Sequence, residues 1–466
     1  MQNINFSKIS KIHFVGIGGS SMSGLAQIML DKGVDVSGSD LLLSDETSTL
    51  QSKGAKINSP HDGSVVSTYL PDLVVFTVAV HEDNPEIFEA KKLGIPTIDR
   101  SDFLGLLMSE YRFRISVAGT HGKTTTTSMI SYILLENQLD PSIHIGGTLP
   151  LIGGNTHIGS GSYFVTEACE YCDSFLKLTP NIAVVLNIEL DHVDYFKSLS
   201  QLKDSFKAFI ASVPKAGCAI VCADDSGALS ASQDAECRII TYGIDSKDAN
   251  WSAKDIFFDN KGRASYTLEH ACHEVCRISL GTVGIHNVRN SLAAIATAFE
   301  LGLDPSECVK PLQTFTGAKR RFELKGILDG TRIVDDYAHH PTEILTTLEA
   351  AKMSMGKGRI IVAFQPHTYT RTRELLELFS TAFKNADKVI IADIYASRET
   401  DPGDINSEML AFEIDKVSKN CVYIGSFEEI AEYIKKEVSD GDLVITMGAG
   451  DIYKVANILL ETANNK

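Results

Sequence analysis

Residues Arg114–Leu135 read RISVAGTHGKTTTTSMISYILL, a β-prone run, a glycine-bracketed loop and then an apolar stretch at helical spacing. Where a strand runs through such a loop into a helix, backbone amides converge on phosphate oxygens at the positive end of the helix. A lysine then reaches the terminal phosphates, and the next Ser or Thr holds magnesium. Gly119, Thr120, His121, Gly122, Lys123, Thr124 and Thr125 supply those parts. The general pattern GxxxxGK[ST] also wants a glycine where Val117 stands, so this is a variant loop. A GKT tripeptide alone is also an ordinary helix start; the strand before and the helix after select the phosphate reading.

Downstream, YFVTEACE and NIAVVLNIELDHVD are β-branched runs that end in acidic residues. Nucleotide-bound magnesium takes hard oxygen ligands near the carboxyl ends of neighbouring strands. Glu167, Asp191, His192 and Asp194 are therefore candidates to ligate it or to position a nucleophile, although an Asp–His pair at a strand end is also helix-capping material. A segment from about Gly217 to Thr282 reads as irregular. HNVRNSLAAIATAFELG then reads as a helix that stops at Gly302. After TFTGAKRRFE, four further β-runs (TRIVDDY, RIIVAFQP, KVIIADIY, DLVITMGAG) are each followed by a helical stretch, which makes a third α/β unit.

Upstream, KIHFVGIG, VDVSGSD, LVVFTVAV and IPTIDR alternate with helical runs, as in a parallel sheet covered by crossover helices. HFVGIGGSSMSG resembles a dinucleotide fingerprint, with Gly16, Gly18 and an acidic Asp40 ending the second strand, but Ser21 replaces its third glycine and glycines stand at 19 and 24 instead. An NAD-dependent oxidoreductase is one reading. Donor geometry does not depend on which nucleotide carries the phosphate, however, and two such loops imply two phosphorylated ligands. That suits one ATP and one nucleotide-linked substrate better than a hydride transferase.

The length of 466 residues, 44% hydrophobic and 22% charged, suggests about three globular domains. A net charge of -17 argues against extended contact with nucleic acid or anionic lipid, so anionic ligands must be held by local donors. Nine scattered cysteines read as reduced thiols; Cys169 and Cys172 form a lone CxxC, and Cys272 and Cys276 lie in an alternating polar stretch. MQNINFSKIS lacks the apolar run of a secretory signal and no stretch is long enough to span a membrane, which leads to the expectation of a cytoplasmic protein.

Taken in order, HFVGIGGSSMSGLA, GTHGKTTTT, EACEYCDSFL, NIELDHVDYF, GIHNVRNSLAA, GAKRRFE, DDYAHHPTE, FQPHTYTRT and TMGAGDIY resemble the Mur ligase family over essentially the whole chain. The resemblance implies an α/β protein of three domains. They are a Rossmann-like UDP-sugar-binding domain at 1–112, a central P-loop ATP-binding parallel sheet at 113–317, and a Rossmann-like C-terminal domain at 318–466 that helps bind ATP and the amino acid.

It further implies ATP- and Mg2+-dependent joining of L-alanine to the carboxylate of UDP-N-acetylmuramate for peptidoglycan synthesis, by a monomer or homodimer; a sister ligase that attaches a preformed tripeptide is the alternative. By the same resemblance, Gly16, Gly18, Gly19, Ser20 and Asp40 hold the UDP-sugar. Lys123 contacts the phosphates, and Thr124, Glu167 and His192 bind metal. Asn290, Arg321 and Asp336 contact the adenine nucleotide, whereas His339 and Arg371 face the sugar carboxylate or the amino acid. Where relatives read EADES and HRYSRTR, this chain has Cys169 in place of an acid and Thr368 in place of a base. Glu170 is left as the nearby carboxylate, and anion recognition falls to Arg371 and Arg373. Lys207, modified in some sister ligases, reads as a surface helix lysine.

Overall fold

The computed structural model describes residues 4, 6–77, 80 and 83–464. Val78 and Ala79 of the LVVFTVAV run, and residues 1–3 and 5 of MQNINFSKIS, lie outside the described residues. Among the described residues the strands form three sheets. The first is all parallel, in the order Lys56–Asn58, Asp35–Ser39, Lys11–Val15, Leu73–Phe76, Thr97–Asp99.

The central sheet has ten strands. Its loop strand Phe113–Ala118 lies between Tyr163–Glu167 and Ile182–Val185, parallel to both. Ile115, Val117, Val165, Val184 and Ile220 are all fully buried, as strands covered on both faces must be. The chain crosses from one side of the loop strand to the other between its two neighbours, and at such a switch point the loops at the strand carboxyl ends splay apart into a crevice. Helices Lys123–Glu136 and Ile285–Glu300 pack together over one face. The other face shares a continuous apolar cluster with the first sheet, from Phe14 and Phe103 to Phe175 and Phe206.

The third sheet runs Glu323–Leu328, Thr331–Asp336, Leu443–Met447, Ile360–Phe364, Lys388–Ile391, Cys421–Tyr423, parallel except for its first pair. No helix among the described residues is long and apolar enough to cross a membrane.

One expectation is corrected. Residues 217–282 are regular: Cys218–Cys222 and Arg238–Gly243 extend the parallel sheet, and Trp251–Phe258, Arg263–His270 and His273–Val283 finish it, the last two pairings antiparallel. Ala253, Ala264, Tyr266 and Leu268 point inward while Lys254 and Asp255 are exposed. A register shift between Lys254 and Phe257 breaks the period-two alternation that would have marked these strands.

The first unit seats on the second through helix Ser20–Asp31, which packs on strands Ser142–Leu149 and Gly154–His157. The approach is close enough that a Cβ at Gly24 would stand 2.3 Å from Thr156 Oγ1 and 3.0 Å from a His144 ring carbon, both on buried side chains. Overpacking of this kind destabilises by about 1–3 kcal/mol. Gly24→Ala should lower the urea midpoint accordingly; an unchanged midpoint would show that Thr156 can turn aside.

Candidate functional site

Helix Lys123–Glu136 starts at Gly122, which adopts φ +83° and offers no side-chain cap, so its first-turn amides stay open to an anion. A Cβ at Gly122 would lie 2.9 Å from Asn290 Oδ1, and one at Gly119, where φ is +142°, 2.9 Å from Leu186 Cβ. Only glycine fits this cradle at both ends, as a phosphate-binding loop requires.

The segment just beyond the neighbouring strand Ile182–Val185 braces the loop. Asn187 O accepts Thr120 N–H, Asn187 Oδ1 accepts His121 N–H at 2.8 Å, and Thr120 Oγ1 donates to Glu189 O at 2.9 Å. Lys123 Nζ donates to Gly119 O and Thr120 O and to both Glu170 oxygens at 3.1 and 3.0 Å. Burial opposes its charge, but Glu170, with Cys169 and Glu167, outweighs this and raises the Lys123 pKa to about 12.

A cavity of about 380 Å³ opens beside the loop, between the central and C-terminal sheets. It brings together His121, Gly122, Thr125, Asn290, Arg321 and Asp336, all expected at a nucleotide. Asp336 accepts the N–H groups of Phe322 and Ala338 at 2.7 and 2.9 Å; burial lifts its pKa to about 6, against the pull of Arg321. Arg321 Nη2 lies 3.5 Å from Thr124 Oγ1. Glu167 ends its strand accepting Gly146 N–H at 2.7 Å.

A second, smaller pocket gathers Asp191, His192, Asp194, His367 and Arg371. Arg371, expected to face substrate, instead clasps Asp191 through Nε and Nη2 at 3.1 and 3.0 Å, and Nη1 lies 3.1 Å from His367 Nδ1. Burial opposes ionisation of Asp191, but Arg371 holds its carboxyl far below the usual range. His339 borders this pair, and desolvation pushes it down to about 3; desolvation also lowers His192, which sits at φ +51°.

Other expected residues are placed elsewhere. Asp40 accepts Gly18 N–H at 2.8 Å through Oδ2 and Leu41 N–H at 2.8 Å through Oδ1, which braces the first glycine loop. Ser20 accepts from Asn155 Nδ2 of the central unit. Arg373 is on the surface, paired with Asp404 and Glu374. Lys207 is an exposed helix lysine paired with Asp234. Cys169 and Cys172 are free thiols, and burial pushes Cys169 up to about 11.

Glu189, Thr342 and Glu343 were not singled out by their residue types, although each lies inside a quoted motif. They build a polar cluster across the seam between the two sheets. His121 Nε2 meets Glu189 Oε2 at 3.0 Å, its Nδ1 lies 3.3 Å from Glu343 Oε1, and Thr342 Oγ1 donates to Glu189 Oε1 at 2.6 Å. His340 caps helix Pro341–Met353, its Nδ1 accepting Thr342 N–H at 3.3 Å. Atoms of His121, Glu189 and His340 lie within 4.8 Å of one another, as metal ligands could. His340 Nδ1, as acceptor, leaves the ring proton on Nε2, while Glu189 and Glu343 flank His121 on either side as an ion-paired cluster.

Comparison with known proteins gives a consistent result. Three family models match in order: "Mur ligase family, catalytic domain" at residues 11–112, "Mur ligase middle domain" at 117–298, and "Mur ligase, glutamate ligase domain" at 320–450. The UDP-N-acetylmuramate–L-alanine ligase of Acetivibrio thermocellus is 53% identical, over 98% of this chain and 96% of its own. That of Caldanaerobacter subterraneus is 49% identical over 98% and 99%. The crystal structure of UDP-N-acetylmuramate-alanine ligase from Thermotoga maritima superposes with a TM-score of 0.83 at 28% identity, covering 98% and 99%. A murein peptide ligase from Psychrobacter arcticus gives 0.73 at 25%, with the same coverage.

Although burial works against it, bonding to Glu189 and Glu343 raises the His121 pKa from 6.5 to about 9. A raised folded-state value means the stabilisation is complete below about pH 6.5 and is lost as pH climbs through about 9. Urea midpoints measured across that window should therefore fall more steeply for the wild type than for His121→Gln; parallel curves would show that the imidazolium contributes nothing.

Proposed function

Because the chain belongs to the Mur ligase family, we propose that it joins L-alanine to the carboxylate of UDP-N-acetylmuramate, with cleavage of ATP to ADP and phosphate, in peptidoglycan precursor synthesis. One observation carries the nucleotide part. The loop Gly119–Thr125 opens onto a cavity whose far wall, Arg321, Asp336 and Glu343, belongs to the C-terminal unit. The choice of alanine is supported by full-length identity to proteins that bear that name.

A carboxylate and an amine do not condense at neutral pH. The muramate carboxylate therefore attacks the γ-phosphorus, the bond to ADP breaks, and an acyl phosphate forms. The alanine amine adds to its carbonyl and loses a proton, and inorganic phosphate departs as the amide is made. What the protein supplies is charge of the right sign in fixed places. Lys123 and the open amides of helix Lys123–Glu136 face the phosphates. Thr124, Glu167 and His192 fit the oxygen and imidazole donors that would hold magnesium, which supplies further neutralisation of phosphoryl charge.

The first glycine loop, Gly16–Ser20, takes the UDP part in this reading, and Asp40 contributes by holding that loop in shape. His339 and Arg371 stand beside Asp191, between the loop and the C-terminal sheet, where the carboxylate and amino acid would meet.

Phosphate release should require UDP-N-acetylmuramate and L-alanine together. Release with a cell-wall tripeptide but not with alanine would redirect the assignment to the peptide-recycling ligases. Lys123→Ala should reduce amide formation by about a hundredfold or more; near-normal turnover in that variant would remove the loop from the reaction.

A further inference from the structure

An ammonium group has three protons to donate. At Lys123 all three directions are taken by Gly119 O, Thr120 O and the Glu170 carboxylate. A phosphate oxygen can reach this lysine only by displacing one of them. Two are backbone carbonyls of the loop itself, fixed by its conformation. The third is a side chain that comes from just beyond the neighbouring strand, Tyr163–Glu167. Glu170 is 1% exposed, and among the described residues its carboxylate has no partner other than Lys123.

We propose that Glu170 is the exchangeable counter-ion of Lys123, and that giving up this ion pair makes ATP binding depend on a divalent cation. The inference rests on the nucleotide reading above. When the phosphates take Lys123, a buried carboxylate loses its only cation and is left beside an arriving polyanion, an uncompensated charge that a protein interior tolerates poorly. A divalent cation that comes with the nucleotide relieves both, since carboxylate and phosphate oxygens are the hard ligands magnesium takes. The adjacent Cys169 is a free thiol and adds no second acid at this spot. One residue thus links the occupancy of the loop to the presence of metal.

Calorimetric titration of the full chain with ATP, once with excess Mg2+ and once with EDTA, tests this in the wild type and in Glu170→Gln, which keeps shape and loses charge. The wild type should bind ATP far more weakly in EDTA. The variant should narrow that ratio by about tenfold or more, by tightening the EDTA arm, in line with the strength of a charged hydrogen bond. Glu170→Asp, which retains the charge, should keep the wild-type ratio. Equal ratios in wild type and Glu170→Gln, or an Asp variant as narrow as the Gln one, would overturn the proposal. Should Glu170→Gln not fold, Glu170→Ser reads the same loss of charge. Failure of the wild type to bind ATP even with Mg2+ would instead overturn the nucleotide reading, and this inference with it.

Discussion

The bond between Arg371 and Asp191 joins positions far apart in the chain, and both side chains are 8% exposed. Buried ion pairs are weak evidence for stability, but removing one partner strands the other and costs about 3–5 kcal/mol. Such a pair therefore specifies one arrangement of its two elements. Along the same seam lie His121 with Glu343, Thr342 with Glu189, and Arg321 beside Thr124. The C-terminal sheet is thus held against the loop by charge and hydrogen bonds.

The other boundary is held differently. One apolar cluster runs from the first sheet into the central one, whereas the clusters of the third sheet stay within it. Units joined by a polar seam separate more readily than units that share a core. The loop and its cavity sit on this polar seam. The first two units therefore share one core, whereas the C-terminal unit meets the loop through polar contacts.

Much of this was legible in the residues. ISVA, IAVV and IIVAF are buried on both faces and read as continuous apolar runs, and Gly122, Lys123 and Thr124 carry a phosphate loop in their order. The strands after Gly217 were not legible, because a bulge breaks the alternation and a solvent-facing edge keeps them polar. The commitments of individual side chains were hidden too. Nothing local to Asp40 shows that it will accept Gly18 N–H, and nothing local to Arg371 shows that Asp191 waits for it across the seam. Glu189 and Glu343 stood inside recognisable motifs, yet their meeting at His121 is a fact of tertiary structure alone.

The cavity draws its walls from residues as early as His121 and as late as Thr347. During translation the loop strand would find its neighbours, Tyr163–Glu167 and Ile182–Val185, soon after it left the ribosome, since domains generally fold as units in order of synthesis. Asp336 and Glu343 would follow only when the last third of the chain had been made. A nascent chain could then shape the loop without enclosing anything in it. A chain cut short before Thr331 would keep the P-loop and Arg321 but lose Asp336 and Glu343 from the cavity wall.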